Sequence, residues 1–129
     1  MNEDDIKAKM KAEKEIFLDN MPSDEEMKDK VIEHLKQIYD PEIPVDIYNL
    51  GLIYGVECHT DEISGLKKCK VTMTLTSATC SMSDIIVDLV RTISKRQEGL
   101  EEVEVNLVFD PPWSEKSMSD EAKLAMGLL

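Results

Sequence analysis

Cys80 is the residue of this chain best placed for chemistry. It lies in the run Thr74-Leu75-Thr76-Ser77-Ala78-Thr79-Cys80-Ser81-Met82, where the hydrophobic period changes. Before it, Cys69, Val71, Met73 and Leu75 alternate with Lys70, Thr72, Thr74 and Thr76, which predicts a strand. After it, Met82, Ile85, Ile86, Leu89, Val90 and Ile93 recur at helical spacing. The cysteine is therefore expected in a tight strand-to-helix turn, at or just before the helix start. There the first backbone N–H groups lack partners and carry partial positive charge, which favours a thiolate. The competing reading is a buried thiol acting as a small hydrophobe.

Two other loops could support such a thiol. The first, Asp40-Pro41-Glu42-Ile43-Pro44-Val45-Asp46, carries three carboxylates on a backbone stiffened by two prolines. Turn and cap duty suits Asp40, and a solvated position suits Glu42. Asp46, between Val45 and Ile47, is expected to be drawn inward and to need a hydrogen-bond partner there. The second loop, Asp110-Pro111-Pro112-Trp113-Ser114, holds the sole tryptophan, read as a core or lid residue before a stacking platform. Other candidates are weaker. Cys58 and Cys69 fall on the apolar phase of their strands and read as buried neighbours. A zinc site from Cys58, His59 and Cys69 has no C-x-x-C or H-x-x-x-H support. His34 borders an apolar helix stripe. There is no glycine-rich phosphate loop and no assignable Ser/His/Asp set. The eight methionines suit an adaptable core or contact surface and form no cluster that supports copper.

The elements that must position these residues can be read in order. Residues 1–20 are charge-dense, with Ile6, Met10, Phe17 and Leu18 as apolar points, and read as a charged helical extension. Residues 21–129 read as one domain. Ser23 with Glu26 is a capping-box signature, and Met27, Val31, Leu35 and Ile38 mark one apolar helix face. Leu52, Tyr54, Val56 and Cys58 alternate as a first strand, joined through the Asp61–Lys67 loop to the second as a hairpin. The helix after Cys80 is expected to run to about Gln97, with Gly99 as its stop. Val103, Val105, Leu107 and Phe109 form a third strand, and Ser119 caps a short helix ending at Gly127. This order predicts an α+β fold: a two-layer α/β sandwich with a small three-stranded sheet, helices on one side and the other sheet face open. In the hairpin, the start of strand one and the end of strand two share one edge, so Asp46 and Cys80 should approach each other.

Composition narrows the functional classes. The net charge of −12 over 129 residues argues against nucleic acid and against an anionic membrane surface. No segment approaches the ~18 apolar residues of a membrane span. The first residues lack a secretory signature, and three cysteines without framework spacing suit a reducing cytoplasm.

Three segments together, DPEIPVDIYNLGLIYGVE (40–57), VTMTLTSATCSM (71–82) and VFDPPWSEKSMSDEAKLAMGLL (108–129), closely resemble the metal–sulfur cluster biosynthetic family. This is the SufT/PaaD-like group, related to the eukaryotic cytosolic iron–sulfur assembly targeting factor. The resemblance covers about residues 27–129. It implies a fold like the small α/β domain of scaffold-type iron–sulfur assembly proteins and a role in cluster maturation or delivery. The family's reactive cysteine falls on Cys80 and its loop acidic residue on Asp46, which makes these two the candidate metal ligands. Asp40, Glu42, Thr76, Ser81, Asp110 and Trp113 complete the supporting loops. The family usually has proline after the cysteine; here Ser81 stands in its place and could act as a cap. One thiolate cannot hold a typical cluster, which needs about four ligands. The resemblance thus implies a transient iron–sulfur cluster or iron, none tightly bound, with assembly machinery and client apoproteins as partners. A homodimer or weak self-association would share the ligand. Two alternatives stay open: a cysteine-nucleophile enzyme using Cys80 with a carboxylate, which would need a base near the thiol where no histidine is placed, and an interaction adaptor in which Cys80 binds no metal.

Overall fold

The computed structural model describes residues 2–19, 21–40, 43–77 and 80–129, with side chains for all of these except 12–19 and 80. Helix α1 spans Glu3–Asp19 and α2 spans Asp24–Leu35. They are followed by strands β1 (Ile53–Thr60) and β2 (Lys67–Met73), a 3-10 turn at Cys80–Met82, and helices α3 (Ser83–Arg91) and α4 (Ile93–Arg96). Strand β3 (Leu100–Leu107), a 3-10 turn at Glu115–Ser117 and helix α5 (Asp120–Ala125) complete the order.

The three strands form one sheet in the order β1-β2-β3, with β1 antiparallel and β2 parallel to their neighbours in turn: β1 runs against β2, and β3 runs with β2. The period-two pattern of β2 places Lys67, Cys69, Val71 and Met73 on its buried face. Helix α2 packs on β1 while α3 and α4 pack on β3, so the helices share one side. Glu57, His59, Lys70, Glu102 and Glu104 are exposed on the other side, as the two-layer α+β reading requires.

The expected caps are present. Ser23 Oγ accepts from the Glu26 amide at 3.1 Å, and Met27, Val31 and Leu35 are fully buried below it. Ser119 Oγ accepts from the Ala122 amide at the start of α5. Ile38 is buried, but it lies beyond the end of α2. Ile6 and Met10 of α1 are exposed, while the side chains of Phe17 and Leu18 lie outside the described residues.

Four local expectations are corrected. Strand β1 does not alternate cleanly: Ile53 pairs with Met73 and Gly55 with Thr72, so Tyr54 is an extra residue in a bulge and Ile53 turns to the core. The helix expected to reach Gln97 breaks at Thr92, whose Oγ donates to the Leu89 carbonyl at 2.8 Å and competes with the helical ladder. Its apolar stripe is only partly used: Ile86, Val90 and Ile93 are buried, but Ile85 is 54% and Leu89 41% exposed. Phe109 follows the third strand and is 61% exposed.

Cys58 and Cys69 are neighbours, as expected, but they are joined by a disulfide, and Cys58 is half-buried where Cys69 is buried. They are direct partners in the β1–β2 register with Cα atoms 4.1 Å apart, the close approach of a non-hydrogen-bonded antiparallel pair. The hairpin reading places them side by side, but the bond itself depends on the exact register.

Candidate functional site

The strand directions decide where the three singled-out segments go. The start of β1, the end of β2 and the end of β3 all lie at one end of the sheet. The loop before β1, the turn after β2 and the loop after β3 therefore converge there. The Thr74 amide donates to the Leu52 carbonyl at 2.9 Å, and the Val108 amide to the Met73 carbonyl at 2.8 Å, which ties the roots of the three segments together.

The first loop is a built structure. Asp40 Oδ1 accepts from the Ile43 amide at 3.2 Å and the Asp40 amide donates to the Val45 carbonyl, which is the turn duty expected of it. Tyr39 and Asp46 form an isolated bridge. Asp46 is 8% exposed, and it has the partner its burial demands. Its Oδ2 accepts from the Asn49 backbone amide at 2.9 Å and its Oδ1 from the Asn49 side-chain amide at 2.8 Å. Its other neighbours include Glu121, Ala122 and Ala125 of the last helix, around a cavity of about 120 Å³. Glu42 lies outside the described residues.

The third segment clamps onto the first. Trp113 is half-buried against the core, and its indole N–H donates to the Leu50 carbonyl at 2.7 Å. The Tyr54 hydroxyl donates to the Pro111 carbonyl at 2.7 Å, and the Ser119 amide to the Asn49 carbonyl at 2.9 Å. Asp110 is exposed, joined to Pro111 by a cis peptide bond. Gly51 has φ +86°, and a Cβ there would lie 2.2 Å from the Ser117 carbonyl oxygen. Only glycine allows both this backbone and this approach. Asn49, Gly51 and Tyr54 were thus missed as site-shaping residues. The signal lay in the string Tyr48-Asn49-Leu50-Gly51 itself, whose Asn and Gly mark a tight turn.

In the middle segment, Thr76 is buried. Cys80 opens the 3-10 turn that leads into α3, where the change of hydrophobic period placed it. Its side chain lies outside the described residues, and so does its approach to Asp46. Ser81 is exposed and does not cap the helix: the N-cap position is Met82, one residue later, because the 3-10 turn shifts the start of α3. Ile85 and Leu89 of α3 are exposed.

Among the described residues, no three of His, Cys, Asp and Glu lie close enough to hold a metal ion. The zinc reading of Cys58, His59 and Cys69 is not supported, since both sulfurs are consumed in the disulfide. Perturbed titrations lie at the opposite, hairpin end of the sheet. Lys67 is buried there and donates to Asp24 Oδ1 at 2.8 Å and to the Thr60 hydroxyl. That ammonium holds the Asp24 carboxyl below its ordinary value. Two backbone amides and Lys68 hold Asp61 down to about 2.

Comparison with known proteins adds to this geometry. Residues 28–107 match a family described as iron-sulfur cluster assembly protein. An "Fe-S protein maturation auxiliary factor" of Porphyromonas gingivalis is 40% identical over 99 residues, 77% of this chain and 90% of that protein. The "Fe-S protein maturation auxiliary factor SufT" of Staphylococcus aureus is 41% identical over 91 residues, 70% of this chain and 98% of that protein. The crystal structure of a domain of unknown function from Bacillus anthracis is similar with a TM-score of 0.69 and 40% identity, covering 82% of this chain and 96% of that one.

Proposed function

Since the chain belongs to the iron-sulfur cluster assembly protein family, we propose that it is an auxiliary factor in the maturation of iron–sulfur proteins, with Cys80 as its functional thiol. The observation that carries this reading is the convergence of the three segments at one sheet end, where Cys80 opens the turn into α3. A thiol at such a helix entrance ionises readily, and the segments that converge at this end are tied together by hydrogen bonds.

The cluster, or iron, is cargo in this account and not a resident cofactor. A cluster needs about four ligands, more than Cys80 and Asp46 supply. Cys80 therefore shares its cargo with a partner: a second copy, an assembly protein or a client. Asp46 is the candidate oxygen ligand. Its bonds to Asn49 give it a second task, fixing the loop before β1.

A carrier is favoured over an enzyme that pairs Cys80 with a histidine base by the placement of the histidines. His34 bonds Gln97, just before β3 begins, and His59 sits opposite Lys68 near the hairpin. Neither is at the Cys80 end to act as a general base. We place the protein in the cytoplasm, among iron–sulfur assembly partners, with no nucleic acid and no membrane as a ligand; no described helix is long and apolar enough to cross a membrane.

Anaerobic reconstitution with iron and sulfide tests the proposal. Wild-type protein, alone or with a client apoprotein, is expected to develop a charge-transfer spectrum that Cys80→Ser abolishes. Capture of partners that is unchanged in Cys80→Ser, with no spectrum from either protein, would replace the carrier by a pure adaptor.

A further inference from the structure

Strand β3 is an edge of the sheet, and no strand pairs with its outer side among the described residues. Its orientation follows from one bond. The Val108 amide donates to the Met73 carbonyl, so the backbone groups of Asn106 and Glu104 also face β2. Those of Val103, Val105 and Leu107 then face outward, because strand residues alternate. An unpaired edge of this kind is a template for another strand.

The edge has a chemical character on each face. Beside it runs a groove of about 470 Å³ between Arg91 and Ser94 on the helical side and residues 101–105 on the strand. On the helix-facing side, Val103 is buried and Val105 half-buried, which offers an apolar ledge. On the open face, Glu102 and Glu104 are exposed, with Lys68 and Lys70 of β2 as their inner cross-strand neighbours and their outer side open. An added strand would set one of its alternating rows beside the glutamates and the other beside the valines. Opposite charges at such cross-strand positions stabilise, and like charges destabilise. Edge-to-edge pairing with a second copy would bring glutamates against glutamates, so the edge selects against itself and for a basic partner.

We infer that the outer edge of β3 docks an extended peptide segment that alternates basic and apolar residues, by strand addition. Backbone hydrogen bonds to Val103, Val105 and Leu107 supply the pairing, and Glu102 and Glu104 supply the selection. The site uses neither the Cys80 turn nor its loops, so its failure and that of the maturation role are separable.

The test uses the full chain, labelled with ¹⁵N, and two acetylated heptapeptides: one alternating lysine with valine and threonine, one with glutamate in place of lysine. The lysine peptide is expected to shift the amide signals of Val103, Val105 and Leu107 and to slow their hydrogen exchange. The glutamate peptide is expected to bind more weakly. E102Q/E104Q removes both charges without setting new cations opposite Lys68 and Lys70, and should keep the fold. It should weaken the lysine peptide by about tenfold and abolish its advantage over the glutamate peptide. Equal binding of both peptides, or no protection at the three amides, overturns the inference. Protection of the same amides that grows with protein concentration alone overturns it too, by making the edge a self-association surface.

Discussion

Replacing Gly51 by alanine tests whether the site depends on the clamp between the first and third segments. Two costs follow from the geometry. At φ +86° a side chain is strained by roughly 1–2 kcal/mol, partly offset because alanine restricts the unfolded chain. The new Cβ would also stand 2.2 Å from the Ser117 carbonyl oxygen and 2.6 Å from its carbon. Ordinary contact is about 3.5–4.0 Å, so the backbone at Ser117 must retreat by more than about 1 Å. That retreat pulls on the Ser119–Asn49 hydrogen bond, worth about 1 kcal/mol. It also loosens buried Met118, at a cost of about 1 kcal/mol for partial exposure. The total is about 3 kcal/mol, which lowers Tm by about 10 °C for a domain of this size. Gly127 is the matched control: its φ is +74°, but nothing lies within 4 Å of a Cβ there. Gly127→Ala should cost only the backbone strain, about 1 kcal/mol or less. Thermal melting by circular dichroism compares the two. If Gly51→Ala melts no lower than Gly127→Ala, the close packing of the two segments is not what holds the site.

Cys80 should alkylate first at neutral pH, with Cys58 and Cys69 labelled only after reduction; mass-spectrometric mapping that finds either of those two ahead of Cys80 in the native protein contradicts the assignment. The folded carboxyl of Asp61 is lowered to about 2 by the Ser64 amide, Lys68 and the Ile63 amide. Its contribution is therefore present above its unfolded pKa of about 3.9 and lost as pH falls toward about 2, so Asp61→Asn should flatten the acid limb of urea stability there, and an unchanged slope would sink the idea. Asp46→Asn leaves one acceptor oxygen for the two Asn49 donors, at a cost of about 1 kcal/mol. The variant should fold but support less client maturation, and maturation at the full rate would make Asp46 a structural loop residue alone.

The parts of the fold legible in the sequence were those set by local period and capping. Cys69, Val71 and Met73 announced β2, and Ser23 and Ser119 announced their helices, because side-chain alternation and cap bonds involve neighbours only. The convergence of the three segments was partly legible, since a hairpin must bring the start of one strand to the end of the next. What stayed hidden depends on register and long-range contact. The Tyr54 bulge, the covalent bond between Cys58 and Cys69 and the Gly51–Ser117 approach are set by which residue meets which across the fold. Lys67 is instructive. It shares the phase of Cys69 and Val71, which signals burial, but its charge argued otherwise until Asp24 and Thr60 were found beside its ammonium. Ser81 misled for the opposite reason: serine is a good cap, but the 3-10 turn moved the helix start past it.

The central claim is that Cys80 makes this domain a maturation factor. The most direct measurement restores Cys80→Ser to cells lacking the protein and follows the activity and iron content of their iron–sulfur enzymes. The account predicts a variant that melts close to wild type and leaves those enzymes as deficient as in cells without the protein. Full recovery of client activity by Cys80→Ser at wild-type abundance would contradict it.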